Sequence, residues 1–276
     1  MRLRLGWATD PGLERAENED SVLVWTDQGG VEALLVVCDG MGGHAAGRLA
    51  SSLAIATFSK TLESDGGRGA DQERLLAASA AANEAVYEAS RDNPAWSGMG
   101  STLTAVSLDA GRLSLVNVGD SPGWLCRGAE AELISEDHSW PAEQARLGII
   151  RPEDVPNHPM RHRLTRAIGI WERIPAYAQS LALKSGDLVV VCSDGVETAG
   201  IGPEELVRLL GRDPEVGAKR VVERCLELGA PDNVTVAVAV VDEVPPDEEA
   251  GAMLGDVPSS AEADVLRTAV LLPSES

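Results

Sequence analysis

Four aspartates lie at the ends of apolar, strand-like runs. The run 34–38 leads into Asp39-Gly40, 113–118 into Gly119-Asp120, and 188–193 into Asp194-Gly195, while 234–241 follows Asp232-Asn233. Buried strands that deliver carboxylates at their ends gather negative charge, and clustered carboxylates repel one another unless a cation lies between them. Hard oxygen ligands of this kind suit Mg²⁺ or Mn²⁺. The chemistry this pattern predicts is metal-assisted hydrolysis. Taken singly, each Asp-Gly is ordinary turn chemistry, because Asp bonds its own backbone and Gly accepts positive φ. The repetition, and the residues around each site, argue for more.

Composition narrows the function classes. The chain has 276 residues, 44% of them hydrophobic, enough for one large core. It contains no run of 18 apolar residues, so no membrane span is expected. Met1 to Gly6 lacks the apolar stretch of a signal peptide, which predicts a cytoplasmic protein. Cys38, Cys126, Cys192 and Cys225 form no Cys-x-x-Cys pair, and three lie inside apolar runs. They read as buried, reduced thiols, and zinc spacing is absent. None opens a Cys-x₅-Arg phosphate loop, and there is no Asp-x-Asp or Gly-Lys-Ser/Thr. A thiol phosphatase, an aspartyl-phosphate enzyme and a Walker NTPase are thereby disfavoured. The net charge of −21 argues against nucleic acid as a partner. It also means that a site for an anionic substrate must supply local positive charge, through metals and a nearby Arg such as Arg15.

The elements that must position these residues follow from periodicity. Strands are expected at 3–9, 21–26, the run ending at Asp39, 101–108, 113–118, 123–127, 187–192 and 234–241. A helix after Gly43 carries Leu49, Leu53 and Ala56 at i, i+4 and i+7, and a second at 71–91 aligns Leu75, Ser79, Ala82 and Val86. Further helices are expected at 203–210 and 214–228. Residues 137–170, with His138, His158 and His162, read as a short helix plus a long irregular excursion, often functional in a compact domain. Strands as close as 113–118 and 123–127 leave no room for a helical crossover, so antiparallel sheets covered by helices are expected, an α+β class. Residues 1–242 form the expected domain. Residues 243–276 hold eight acids against Arg267 and read as a mobile tail, with an apolar patch at 265–272 suited to docking.

In chain order stand Thr9-Asp10-x-Gly12-x-x-Arg15-x-x-Asn18-Glu19-Asp20, Asp39-Gly40-Met41-Gly42-Gly43-His44, Gly100-Ser101-Thr102, Gly119-Asp120-Ser121 and Asp137-His138-Ser139. Leu164-Thr165-Arg166-Ala167-Ile168-Gly169, Ser193-Asp194-Gly195 and Asp232-Asn233-Val234-Thr235 follow. As a set, this resembles the metal-dependent protein serine/threonine phosphatases (type 2C, or PPM), in their bacterial branch. The resemblance implies a four-layer α-β-β-α sandwich with a metal site between two central antiparallel sheets. It implies hydrolysis of phosphoserine and phosphothreonine proteins, in signal transduction opposing a Ser/Thr kinase. The cofactors implied are two Mn²⁺ or Mg²⁺ ions and a third, weaker one, with a metal-bridging water attacking phosphorus directly.

Residue by residue, Asp39 resembles the carboxylate that bridges two ions, and Gly40 offers a carbonyl to the second. Asp194 and Asp232 resemble ligands of the first ion, and Asp120, with Asp194, a ligand of the third. Glu19 and Asp20 resemble the acidic pair that orients metal-bound waters, while Asn18, Thr102 and Asn233 hold carboxylates by hydrogen bonds. Arg15 is the phosphate clamp, and His44 the general acid for the leaving oxygen. His138 and Ser139 read as structural. Three departures stand out: Pro122 where the family carries Arg, Glu197-Thr198 in place of Thr-Asp, and His162 where Asn is common. Pro122 motivates the alternative of a weak or inactive phosphoprotein-binding relative. A phosphatase dedicated to anti-anti-sigma factors is a further alternative, though no sensory domain is visible.

Overall fold

The computed structural model describes residues 1–43, 45–64 and 69–244, and the backbone of 269–271. The chain opens with β1 (Arg2–Asp10), β2 (Ser21–Thr26) and β3 (Ala33–Cys38). The short β4 (Gly40–Met41) leads to α1 (Ala45–Ser64) and α2 (Gln72–Asp92). Next come β5 (Gly100–Ser101), β6 (Leu103–Asp109), β7 (Arg112–Val118), β8 (Gly123–Arg127), β9 (Glu130–Leu133) and α3 (Trp140–Arg146). The chain continues with β10 (Tyr177–Ala182), β11 (Leu188–Cys192), α4 (Gly195–Thr198), α5 (Pro203–Leu210), α6 (Pro214–Glu227), β12 (Val234–Glu243) and β13 (Ala269–Leu271).

Two antiparallel sheets form the centre, in the orders β1-β12-β11-β8-β9 and β10-β7-β6-β3-β2-β13. Alternate residues of each strand face opposite ways. Leu35 and Val37 of β3 therefore meet Val189, Val191, Ala237 and Ala239 from the other sheet in a core between the sheets. Leu34, Val36 and Cys38 face outward and pack with Ile55 and Phe58 of α1 and Leu75 and Val86 of α2. Val190, Val236 and Val238 face Leu206 of α5 and Val221 and Cys225 of α6. Both faces of each sheet are covered, which explains the unbroken apolar runs of β3 and β11. The result is the expected α-β-β-α sandwich, and all four cysteines are buried and unpaired.

Helix α2 matches its expected stripe: Leu75, Ser79, Ala82 and Val86 are all buried, and Asp71 caps it by accepting from the Arg74 N–H at 3.0 Å. Helix α1 is rotated from its expected face. Ala50, Ala54, Ile55, Phe58 and Leu62 are buried, Leu49 and Leu53 lie at the margin, and Ala56 is exposed. Small residues at 46, 47, 50 and 54 let the helix sit close on the sheet, and size-weighted periodicity misses such a face. The expected strand at 101–108 divides at Thr102, whose N–H and hydroxyl both bond the backbone of Asp39. Strands β9 and β10 were not expected; both sit near sheet edges, and neither is fully buried. Strand β12 runs one residue past 242, where Arg4 grips Asp242 with two bonds of 2.8 Å. The acidic run of the expected tail lies outside the described residues, but the backbone of Ala269–Leu271 pairs antiparallel with Val22–Val24.

Candidate metal centre

Strand direction puts the four aspartates at one edge. Strands β3 and β7 both pair antiparallel with β6, so they run the same way and their C-terminal ends coincide. Those ends carry Asp39 and Asp120. In the facing sheet, β11 and β12 are antiparallel, so the end of one, carrying Asp194, meets the start of the other, carrying Asp232. By the same parity, β1 delivers Arg15 beside the start of β12, and the start of β2 brings Glu19 and Asp20 beside the end of β3.

One cavity of about 800 Å³ is lined by Arg15, Glu19, Asp39, Asp120, Asp194 and Asp232. Gly40 and Asn233 line it too. Asp20 lies behind it, 4% exposed, with Oδ2 accepting from Thr235 Oγ1 at 2.6 Å and Ser193 Oγ at 2.8 Å. Its Oδ1 is buried and has no partner among the described residues. Asn233 ties the neighbourhood together: its Oδ1 accepts from the Glu19 N–H at 2.8 Å, and its Nδ2 donates to the carbonyls of Pro11 and Glu17. Asn18 donates to Thr9 Oγ1 at 2.8 Å and accepts from the Asp20 N–H. His44 lies outside the described residues.

The electrostatics are those of crowded like charges. Burial, then the charges of Asp20, Asp194, Asp120 and Asp232, holds Asp39 well above the ordinary carboxylate range. Burial and Asp194 do the same to Asp120. Burial and Asp232 raise Asp194, against the pull of His162. Burial pushes Asp20 up to about 7 despite its two hydroxyl donors. One contact relieves the repulsion: Arg15 Nη2 donates to Asp232 Oδ2 at 2.8 Å. Among the described residues no three carboxylates, imidazoles or thiolates close on a single point.

The residues nevertheless fit a hard divalent cation. The donors are carboxylates from four chain segments, their mutual repulsion calls for positive charge, and the Asp20 Oδ1 acceptor is unmatched. Gly40 contributes a tight passage: a Cβ there would fall 2.1 Å from the Gly47 carbonyl oxygen and 2.6 Å from that of Glu19. The need for glycine at 40 thus includes close packing of three backbones, beyond the approach to an ion.

Of the departures, Pro122 leaves the turn behind Asp120 intact. Its carbonyl accepts from the Cys192 N–H at 3.1 Å, the Ser121 carbonyl from Thr104 Oγ1 at 2.7 Å, and Ser121 Oγ pairs with Thr102 Oγ1. His138 is structural: fully buried, its Nδ1 accepts from the Gly119 N–H at 3.0 Å. His162 Nδ1 stands 4.0 Å from Asp194 Oδ2. The excursion returns to the site through paired bonds between Ser101 and Ile168. It places Arg161, Arg163, Ile170 and the half-exposed Trp171 on the cavity wall. Sequence reasoning did not single out these four; for Arg161 and Arg163 a basic cluster in an acidic chain was the available signal, and Ile170 and Trp171 carried none.

A model of the family described as protein phosphatase 2C matches residues 14–221. The serine/threonine protein phosphatase PstP of Mycobacterium tuberculosis is 40% identical over 243 residues, which is 87% of this chain and 45% of that protein. This chain therefore spans less than half the length of that relative. The serine/threonine phosphatase stp of Listeria monocytogenes is 29% identical over 85% of this chain and 94% of its own. Among solved structures, the catalytic domain of PstP in complex with two manganese ions superposes with a TM-score of 0.75 at 36% identity, covering 87% of this chain and 99% of that one. The order of motifs, the four-layer fold and these matches agree, and the chain belongs to the protein phosphatase 2C family.

Proposed function

We propose that this protein is a metal-dependent serine/threonine protein phosphatase. The observation that carries the reading is the convergence of Asp39, Asp120, Asp194 and Asp232, from four strand ends of two sheets, on one cavity that also holds Arg15. Asp39, Gly40, Asp120, Asp194 and Asp232 would hold two Mn²⁺ or Mg²⁺ ions and a weaker third. When bound, such ions lower the pKa of a water and neutralise phosphoryl charge. The chain's own part is positional. Asp20, fixed by Ser193 and Thr235, and Glu19, fixed by Asn233, order the water around the carboxylates. Arg15, with its side chain 54% exposed on the wall, turns its fork from Asp232 to two phosphoryl oxygens of the substrate. His44 remains the sequence-based assignment for the acid that protonates the departing serine or threonine oxygen.

The substrates are phosphoserine and phosphothreonine proteins, and the partner pathway is that of an opposing Ser/Thr kinase. The catalytic unit spans 1–242, followed by an acidic tail. Among the described residues no helix is long and apolar enough to cross a membrane; we place the protein in the cytoplasm. After chelation the protein is expected to be inert toward a phosphothreonine peptide, and Mn²⁺ or Mg²⁺ to restore turnover. Asp39→Asn abolishes that turnover. Hydrolysis that persists in chelator rejects the proposal.

A further inference from the structure

Beside the carboxylate cavity lies a second one of about 450 Å³, lined by Tyr87, Ser90, Arg91, Pro94, Ser97 and Ile170. That volume falls in the range of ligand-binding pockets. Ile170 lines both cavities, so the two are separated by a single ridge, Gly169-Ile170-Trp171. The ridge is fixed from beneath. Asn83 of α2, 2% exposed, accepts from the Gly169 N–H at 2.9 Å and donates to the carbonyls of Trp171 and Glu172 at 3.0 and 3.1 Å. Gly169 has φ +84°, and a Cβ there would fall 2.2 Å from Val86 Cγ1. The ridge is pressed onto α2 and cannot sink further.

The chemistry of the second cavity is mixed. Pro94 and Ile170 offer apolar surface, and Ser90 and Ser97 offer hydroxyls. Arg91 lies over the Tyr87 ring with its guanidinium carbon 5.6 Å from the centroid. Among the described residues Arg91 makes no ion pair, although the whole chain carries a net charge of −21. Arg161 and Arg163 on the carboxylate cavity likewise have no ion pair among the described residues; what sets Arg91 apart is its place in a cavity one ridge from a site for phosphorylated chains, where it is matched to an acid arriving from outside.

We propose that this second cavity is the subsite for the segment flanking the phosphorylated residue, and that Arg91 selects an acidic side chain there. The proposal rests on the phosphatase reading above. The phosphorylated side chain enters the carboxylate cavity, its backbone crosses the Ile170 ridge, and a nearby Asp or Glu reaches Arg91. A partly exposed ion pair of this kind contributes up to about 1 kcal/mol, equivalent to roughly threefold to fivefold in KM.

The test uses the full chain with Mn²⁺ and phosphothreonine peptides on an alanine background. A single Glu is moved one position at a time away from the phosphothreonine on each side. Turnover of the all-alanine peptide tests the phosphatase activity itself, so failure there sinks that reading separately. Given turnover, one position on one side should lower KM about threefold to fivefold. Arg91→Ala should erase that preference, and Arg91→Glu should transfer it to Lys at the same position, a gain that a misfolded variant does not show. A flat Glu scan, or a preference that survives Arg91→Ala, overturns the proposal.

Discussion

At the scale of single residues, the site forces like charges together and sets one guanidinium against them. The bond of Arg15 to Asp232 shows that the guanidinium reaches the carboxylate floor. Because a guanidinium grips two oxygens at once and an ammonium does not, Arg15→Lys should behave as a damaging change. Losing a charge-assisted bond of about 1.5–3 kcal/mol predicts a fall of roughly tenfold or more in kcat/KM on a phosphopeptide. Steady-state kinetics of Arg15→Ala and Arg15→Lys check this; recovery by Lys to the native value would contradict the bidentate role. His138 gives a pH prediction. Burial, then Arg166 and Arg146, lowers it to about 3. Below the ordinary imidazole value of about 6.5, the unfolded chain takes a proton that the folded chain refuses. Stability attributable to His138 is therefore full above that value and is lost as pH falls toward about 3. Urea unfolding of His138→Gln between pH 7 and 4 should give a flatter pH dependence than the native protein, by up to about 1.4 kcal/mol per pH unit.

At the scale of elements, the interior was legible and the margins were not. Strand β2, strand β8 and helix α5 begin and end where their apolar patterns do, because both faces of the strands are covered and the helix has Pro203 at its start and Gly211 just past its end. The edge strand β9, with Glu130 and Glu132, has no such pattern to read. Helix α1 was found but turned, since the first half of its contact face is made of small residues, with Ile55, Phe58 and Leu62 only in the second. The excursion 137–170 was recognised as irregular, yet its path is set by long-range bonds such as Ser101 to Ile168 and Trp140 to Arg163. Asn83 belongs to this scale, since one side chain anchors the wall between two cavities. Asn83→Ala leaves the Gly169 N–H and two carbonyls unmatched, which should cost about 1–3 kcal/mol. A lower denaturation midpoint with an unchanged m value is the expected result, accompanied by a raised KM for peptides; an unaltered midpoint would show that the ridge does not depend on Asn83.

At the scale of the molecule, two sheets stacked face to face bring carboxylates far apart in sequence into one charged edge. Divalent ions that bind there favour the folded state by mass action, by about 2.7 kcal/mol at a hundredfold excess over Kd. For a domain of this size that corresponds to a rise of about 5–10 °C in Tm. Thermal melts with Mn²⁺ and with chelator should show it, and Asp39→Asn should shrink it. An identical Tm in both conditions would mean that the four aspartates hold no metal, whatever the catalytic outcome.

The sequence by itself determined the candidates for the chemistry. Asp39, Asp120, Asp194 and Asp232 each end or begin an apolar run, and those runs were readable because burial on both faces demands continuous hydrophobicity. The tertiary structure alone decided that these ends coincide. That depends on strand parity, with β3 and β7 aligned through β6 and β11 opposed to β12, and on which face of each sheet meets the other. It also alone decided that Arg15 meets Asp232 across 217 residues of chain, and that Ile170 divides two cavities. Local pattern encodes what a residue prefers to be buried against. Direction and neighbourhood are set by pairings between distant strands, which no local window contains.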